Sequence, residues 1–199
     1  MEITPIVLAS ASPRRCELLD LIGIRHTVDP ADIDESIHGA ELPAAHVERL
    51  AREKALRVAA RHPGALVIAA DTVVVLDGQI MGKPRTETEA VRMLTSLSGA
   101  THTVVTGMAC ALNGEMESSV DDVSVTFRPL SERDIEEYLA TGEPMDKAGS
   151  YGIQGYGATI VRRIDGDYFA VMGLSLVRLV ELMQRLRVRY HFGGAMRYT

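Results

Sequence analysis

The sequence predicts an α/β fold with a mixed sheet. Three observations carry this. Short apolar strands alternate with helical segments through the first half of the chain. Two dipeptides, Asp77-Gly78 and Asn113-Gly114, sit between strand-like runs and signal tight hairpins, which demand antiparallel pairs. The composition, 46% hydrophobic and 24% charged over 199 residues, fits one ordinary globular domain.

The elements follow in order. Residues 6–10 form a short apolar strand. Residues 13–21 form a helix, with Ser12 as N-cap, Pro13 at the first helical position and a stop near Gly23. A second strand spans 26–29, and an acidic loop spans 31–41. Residues 42–62 form a long amphipathic helix with Val47, Leu50, Ala51, Ala55 and Val58 on one face. Residues 66–76 are a buried strand, turned at Asp77-Gly78 into 79–81. A helix over 88–97 precedes Gly99. Two long strands, 101–112 and 117–127, flank Asn113-Gly114. Residues 131–139 form a helix opened by a capping-box-like S-x-x-D. Residues 143–157 form a glycine-rich loop. Residues 159–171 read as strand, broken at Asp165-Gly166, and 174–188 as the C-terminal helix. Residues 190–199 read as a frayed tail on a single domain spanning 1–199.

Bulk properties exclude several classes. The chain has no apolar run of about 18 residues, so no membrane span is expected. Its start, MEITPIVLAS, does not read as a secretory signal. Cys16 and Cys110 read as reduced core residues of a cytoplasmic protein. The formal net charge of −6 argues against nucleic acid as a partner. A phosphate-binding site must then be a local basic pocket on an acidic protein.

Several residues break their local pattern. In LASASPRRCELL, Arg14 and Arg15 fall in the first turn of a helix, where the dipole makes cations mildly unfavourable. Backbone donors, two hydroxyls and two guanidinium groups would converge there, as an anion site requires; the alternative is a solvated face. Lys54 shares the apolar face of its helix, so it either snorkels or points into a site. Asp71 interrupts LVIAADTVVVL; a carboxylate there is a hydrogen-bonded structural group or a general base or metal ligand facing a cleft at a strand end. Lys83, in IMGKPR, reads as a surface lysine unless the others recruit it. Glu35, in ADIDES, is a metal-binding oxygen donor or part of a solvated loop. MDKAGSYGIQGYGA carries four glycines in nine residues, which permits close backbone approach to a ligand; Tyr151 could stack and Gln154 could read a base edge. The loop matches neither the Walker pattern nor G-x-G-x-x-G, and no histidine pair has zinc spacing. Two arginines, two lysines, one or two carboxylates and a flexible loop suit polyphosphate chemistry with a divalent cation.

Together, LASASPRRCELL, LAREKA, AADTVVVLDGQIMGKP, VTFRPL and DKAGSYGIQGYGATIVRRIDGDYFAVMGLSL resemble, in order and over about residues 6 to 182, the Maf family of nucleoside triphosphate pyrophosphatases. The resemblance implies an elongated ITPase-like (Maf/Ham) fold, its mixed sheet flanked by helices, with a cleft between two lobes. It implies a homodimer that needs Mg²⁺ or Mn²⁺ and splits a nucleoside triphosphate into monophosphate and pyrophosphate. The YGIQG loop is similar to the branch acting on dTTP and UTP rather than that acting on 7-methyl-GTP. Carried over motif by motif, Asp71 is the proton acceptor, and Arg14, Thr72 and Gln154 govern substrate choice. Ser10, Arg15, Glu35, Lys54 and Lys83 make up the phosphate and metal neighbourhood, with Glu35 and Asp71 as metal ligands. Whether Asp71 is base, ligand or both stays open. One departure is GLSL, where the family has G-L-P-L; Ser175 can cap the last helix but does not fix φ. Two other readings are a nucleotidyltransferase and a non-catalytic nucleotide-binding regulator of septum formation.

Overall fold

The computed structural model describes residues 4–192 and 194–197. Strand β1 (Ile6–Leu8) leads into α1 (Pro13–Leu21), then β2 (Thr27–Val28), α2 (Pro43–Ala59) and β3 (Leu66–Leu76). The chain continues through β4 (Gln79–Met81), α3 (Glu87–Leu97), β5 (Thr101–Leu112), β6 (Glu115–Phe127) and α4 (Glu132–Ala140). After three short 3₁₀ turns come β7 (Val161–Asp165), α5 (Tyr168–Met172), α6 (Leu176–Arg185), β8 (Val188–His191) and β9 (Gly194–Arg197). One seven-stranded mixed sheet has the order β2-β1-β3-β5-β6-β7, with β4 also on β3. Strands β2 and β3 both pair with β1 in parallel, and β4 and β7 pair antiparallel with β3 and β6. The expected mixed α/β class is the observed one.

Local chemistry sets most element boundaries. Asp77 and Asn113 have φ of 49° and 51°, and their glycine partners 77° and 85°, the left-handed pair that a type I′ turn requires. Ser131 caps α4 by accepting from the Asp134 amide, and Asp134 returns the bond to the Ser131 amide. Ser175 Oγ accepts from the Arg178 amide at 3.3 Å, so the serine of GLSL does start α6 as a cap.

Several elements differ from those the sequence predicts. Ser12 is the N-cap residue of α1, but its hydroxyl makes no capping bond; its amide instead donates to Ser10 Oγ at 3.2 Å. Residues 159–171 are not one strand: the chain leaves β7 at Gly166 (φ 131°), and Asp167 Oδ1 accepts from the Phe169 amide at 2.8 Å, which seeds α5. The last helix stops at Arg185 rather than at 188, because Arg187 takes a left-handed φ of 59° and turns the chain into β8. Where the sequence reads a frayed tail, β8 and β9 pair antiparallel from Val188↔Arg197 to His191↔Gly194. Cys16 is half-buried and not a core residue, whereas Cys110 is buried; both are free, and burial pushes the Cys110 thiol up to about 12.

The chain packs as two compact units. The first comprises residues 1–71, 106–121 and 173–199. Its core sets Ala51, Ala55 and Val58 of α2 against Val7 of β1, Val67 and Ala69 of β3, and Ala109 and Ala111 of β5. Small side chains on both surfaces let helix and sheet approach closely. Gly107 marks the limit: a Cβ there would lie 2.4 Å from the Val47 carbonyl carbon and oxygen.

The second unit comprises residues 72–105 and 122–172. Its core includes Val74, Leu94, Leu97, Val125, Phe127, Tyr151 and Ile160. His102, Phe127 and Tyr151 pack edge to face, with ring centroids 4.6 to 5.2 Å apart. His102 is only 3% exposed and hydrogen-bonds Tyr151 Oη through Nε2 at 2.7 Å. Burial pulls its pKa from 6.5 down to about 4. Between these values the unfolded chain binds a proton that the native chain rejects, so stability falls as pH drops through this window. The loss reaches about 3 kcal/mol at pH 4. Urea unfolding at pH 7 and pH 4 is expected to show that much less pH dependence in His102→Phe than in the parent. Equal dependence in both proteins would remove His102 as the titrating group.

Candidate functional site

Strand β1 ends at Leu8, paired with Ile68, and the Ala9 amide donates to the Ile68 carbonyl at 2.8 Å. Beyond that point β3 runs on without β1 beside it. Asp71 lies three residues past Ile68, in the middle of β3 and not at the strand end the sequence reading expected. The carboxylate is tolerated because β1 has turned away into α1. The strand order β2-β1-β3 reverses direction at β1, and open α/β sheets bind ligands outside the carboxyl ends of their strands at such a reversal.

Lys54 does not snorkel. It lies on the buried face of α2 with Val47, Leu50, Ala51, Ala55 and Val58, and is 7% exposed. Its Nζ donates to Asp71 Oδ1 at 2.7 Å and pairs with Glu35 Oε1 at 2.6 Å. Asp71 is nearly as buried, at 9%, while Glu35 is exposed in the loop before α2. A buried ammonium that lost both partners would be strongly unfavourable, so the three groups form one ion-paired cluster in which the carboxylates outnumber the ammonium.

Arg15 is half-buried and held firmly. Its Nε donates to the Gly173 carbonyl and its Nη1 to Ser10 Oγ, both at 2.9 Å. Burial lowers its pKa from the ordinary value, the Asp71 and Glu35 carboxylates oppose this, and neighbouring Arg14 adds to it. The guanidinium stays charged in any case. Arg14, also half-buried, makes no hydrogen bond or ion pair with the described residues. The adjacent arginines therefore differ: one is anchored and the other is available.

Thr72 follows Asp71 on β3 and is half-buried. Lys83 and Gln154 belong to the second unit, where both are exposed. Gln154 opens the 3₁₀ turn Gly155–Thr159. The loop around it closes on a residue that the sequence reading took only as the loop's start. Glu143 Oε1 accepts from Tyr138 Oη at 2.8 Å and from the Gly157 amide at 3.0 Å; Oε2 accepts from the Tyr156 amide at 2.9 Å. The one sequence signal for this was an acidic residue opening a segment with glycines at 152, 155 and 157.

A family model described as Maf-like protein matches residues 5–186. The chain belongs to the Maf family. The resemblance read from the motifs therefore holds. A relative from Moorella thermoacetica named dTTP/UTP pyrophosphatase is 52% identical over 183 residues, covering 91% of this chain and 94% of its own. A relative of the same name from Myxococcus xanthus is 53% identical over 182 residues, covering 92% of each chain. Among solved structures, the Ham1 protein of Staphylococcus aureus aligns with a TM-score of 0.48 and 16% identity over 79% of this chain and 80% of its own.

In this Maf chain two carboxylates, Glu35 and Asp71, are the donors on offer to a divalent cation. Glu35 and Asp71 both direct carboxylate oxygens at one cationic position, that of Lys54 Nζ. Hard oxygen donors in that number suit Mg²⁺ or Mn²⁺, which commonly take one or two carboxylates and complete their shell with phosphate oxygens and water. Among the described residues, no group of three or more His, Cys, Asp and Glu side chains is placed to hold a metal ion. Glu35 and Asp71 are the described residues that could hold such an ion. Among the described residues, no helix is long and apolar enough to cross a membrane.

Proposed function

We propose that the chain is a nucleoside triphosphate pyrophosphatase that hydrolyses dTTP and UTP between the α and β phosphates. The observation that carries this is the buried Lys54 joining Glu35 and Asp71, in the unit where Arg14 and Arg15 open α1. Paired carboxylates beside three cations are the groups that in-line hydrolysis of a phosphoanhydride needs. The names of the relatives support the same substrates.

In this mechanism Asp71 accepts a proton from water as the water oxygen attacks the α-phosphorus. The bond from that phosphorus to the α–β bridging oxygen breaks, and pyrophosphate leaves with the electron pair. Arg14, Arg15, Lys54 and Lys83 stabilise negative charge on the phosphates, and the positive end of the α1 dipole adds to them. Ser10 holds Arg15 in place. Thr72 and Gln154 recognise the pyrimidine edge. Glu35 and Asp71 would hold the Mg²⁺ or Mn²⁺ ion, whose chemistry is to neutralise phosphate charge. Location in the cytoplasm, supported by two free cysteines, and assembly as a homodimer belong to the same proposal.

A nucleotide panel with Mg²⁺ and with Mn²⁺, read as pyrophosphate release, tests this. The expected result is release from dTTP and UTP well above that from ATP or GTP. Release that depends on an added acceptor would make the chain a nucleotidyltransferase. UTP bound but left intact would make it a regulator.

A further inference from the structure

We propose that Glu143 is a positioning residue for nucleotide selection: its carboxylate sets the backbone on either side of Gln154, and thereby the aim of the Gln154 amide. This rests on the assignment of Gln154 to base recognition. Gln154 is exposed, and its side chain makes no hydrogen bond with the described residues. Its orientation is therefore inherited from the backbone that carries it. That backbone is tied to one carboxylate on both flanks. After Gln154, the Tyr156 and Gly157 amides donate to Glu143 Oε2 and Oε1 at 2.9 and 3.0 Å. Before it, the Gly152 amide donates to Tyr138 Oη at 3.0 Å, and that hydroxyl donates to Glu143 Oε1 at 2.8 Å.

The glycines serve this arrangement. A Cβ at Gly155, which has a φ of 64°, would lie 2.5 Å from Glu143 Oε2, and one at Gly152 would lie 3.0 Å from Oε1. A Cβ at Gly157 would meet the Gly152 carbonyl oxygen at 2.0 Å. These glycines let the loop wrap a side chain of the same unit. Glu143 is itself fixed, since its amide donates to Thr141 Oγ1 at 3.2 Å and its carbonyl accepts from Lys147 Nζ at 2.6 Å. Both carboxylate oxygens are occupied by loop donors, which suits a positioning group rather than a proton carrier. Only an acceptor-only group satisfies this set. A Gln at 143 would turn an NH₂ toward one of the N–H donors.

Steady-state kinetics of Glu143→Gln, Gln154→Ala and the double variant, with UTP and with GTP, test the proposal. Glu143→Gln is expected to raise KM for UTP about tenfold, to lower the preference for UTP over GTP similarly, and to keep kcat within about threefold. The double variant is expected to match Gln154→Ala within about twofold, because the two residues act through one contact. Unchanged KM and preference, a loss confined to kcat, or effects that multiply in the double variant would each overturn the proposal. Amide hydrogen exchange at Tyr156 and Gly157 needs no nucleotide and is expected to speed up about tenfold in Glu143→Gln. Unchanged exchange sinks the clamp, whereas a parent chain inert toward UTP sinks the pyrophosphatase reading instead. If Glu143→Gln does not fold, Tyr138→Phe removes one donor and the Gly152 link, and is expected to raise KM about threefold; an unchanged KM there also counts against the clamp.

Discussion

Asp71→Asn is expected to lower pyrophosphate release from UTP by at least about a hundredfold, the low end of general-base effects, in a protein that still folds. Asparagine matches aspartate in shape and can still accept from Lys54 Nζ through its side-chain oxygen, where the native bond is 2.7 Å. Lys54 also keeps its pairing with Glu35 Oε1. Packing in β3 is therefore preserved, and what disappears is the negative charge and the basicity. If Asp71 takes the proton from attacking water, nothing else in the cluster replaces it: Lys54 and Arg15 are cations, and Glu35 lies in an exposed loop. Coupled pyrophosphate assays on parent and variant, with circular dichroism melts alongside, decide the matter. Turnover within tenfold of the parent in a folded variant would remove Asp71 from the role of base.

Gly107→Ala is expected to cost about 3 kcal/mol or more of stability, the upper range of overpacking penalties. The added methyl would lie 2.4 Å from the Val47 carbonyl carbon and oxygen and 2.7 Å from the Glu48 nitrogen. These are backbone atoms of α2 and cannot rotate aside. The helix would have to lift from the sheet, which would also disturb Lys54 two turns further along α2. For a chain of this size the penalty corresponds to a fall of roughly 6–12 °C in melting temperature. Gly82→Ala is the control, since its Cβ meets nothing within 4 Å and its φ is not positive; its change is expected to stay within about 0.5 kcal/mol. A Gly107→Ala protein that melts with the parent would show that the helix–sheet contact is looser than its geometry.

Residues whose fate depends on near neighbours were legible in the sequence. Helix 13–21 and strand 66–76 appear with those bounds because proline placement and apolar runs act within a few residues. Asp71 stood out as a carboxylate inside a buried run, and Lys54 as a cation on an apolar helix face. Residues 168–171 read as strand but are helical, because Asp167 capping the helix outweighs the strand propensity of Tyr-Phe-Ala-Val. The role of Glu143 is hardly legible in the sequence, because the Tyr138 hydroxyl and the Tyr156 and Gly157 amides reach it only once the loop has folded back.

The sequence alone therefore determined the mixed α/β class, the two hairpins, the family and the residue types a triphosphate would need. Tertiary structure alone decided which partners those residues take. Arg15 is anchored because the Gly173 carbonyl, 158 positions away, reaches its Nε, while Arg14 beside it is left available. Lys54 pairs with two carboxylates because α2 crosses back to lay β3 against β1. The Tyr156 and Gly157 amides of the glycine-rich loop take Glu143 as their acceptor. The physical reason is common to all three. Propensity and capping are settled between neighbours in the chain, but the burial of a charge and the choice of its partner depend on which strands and helices come to lie side by side.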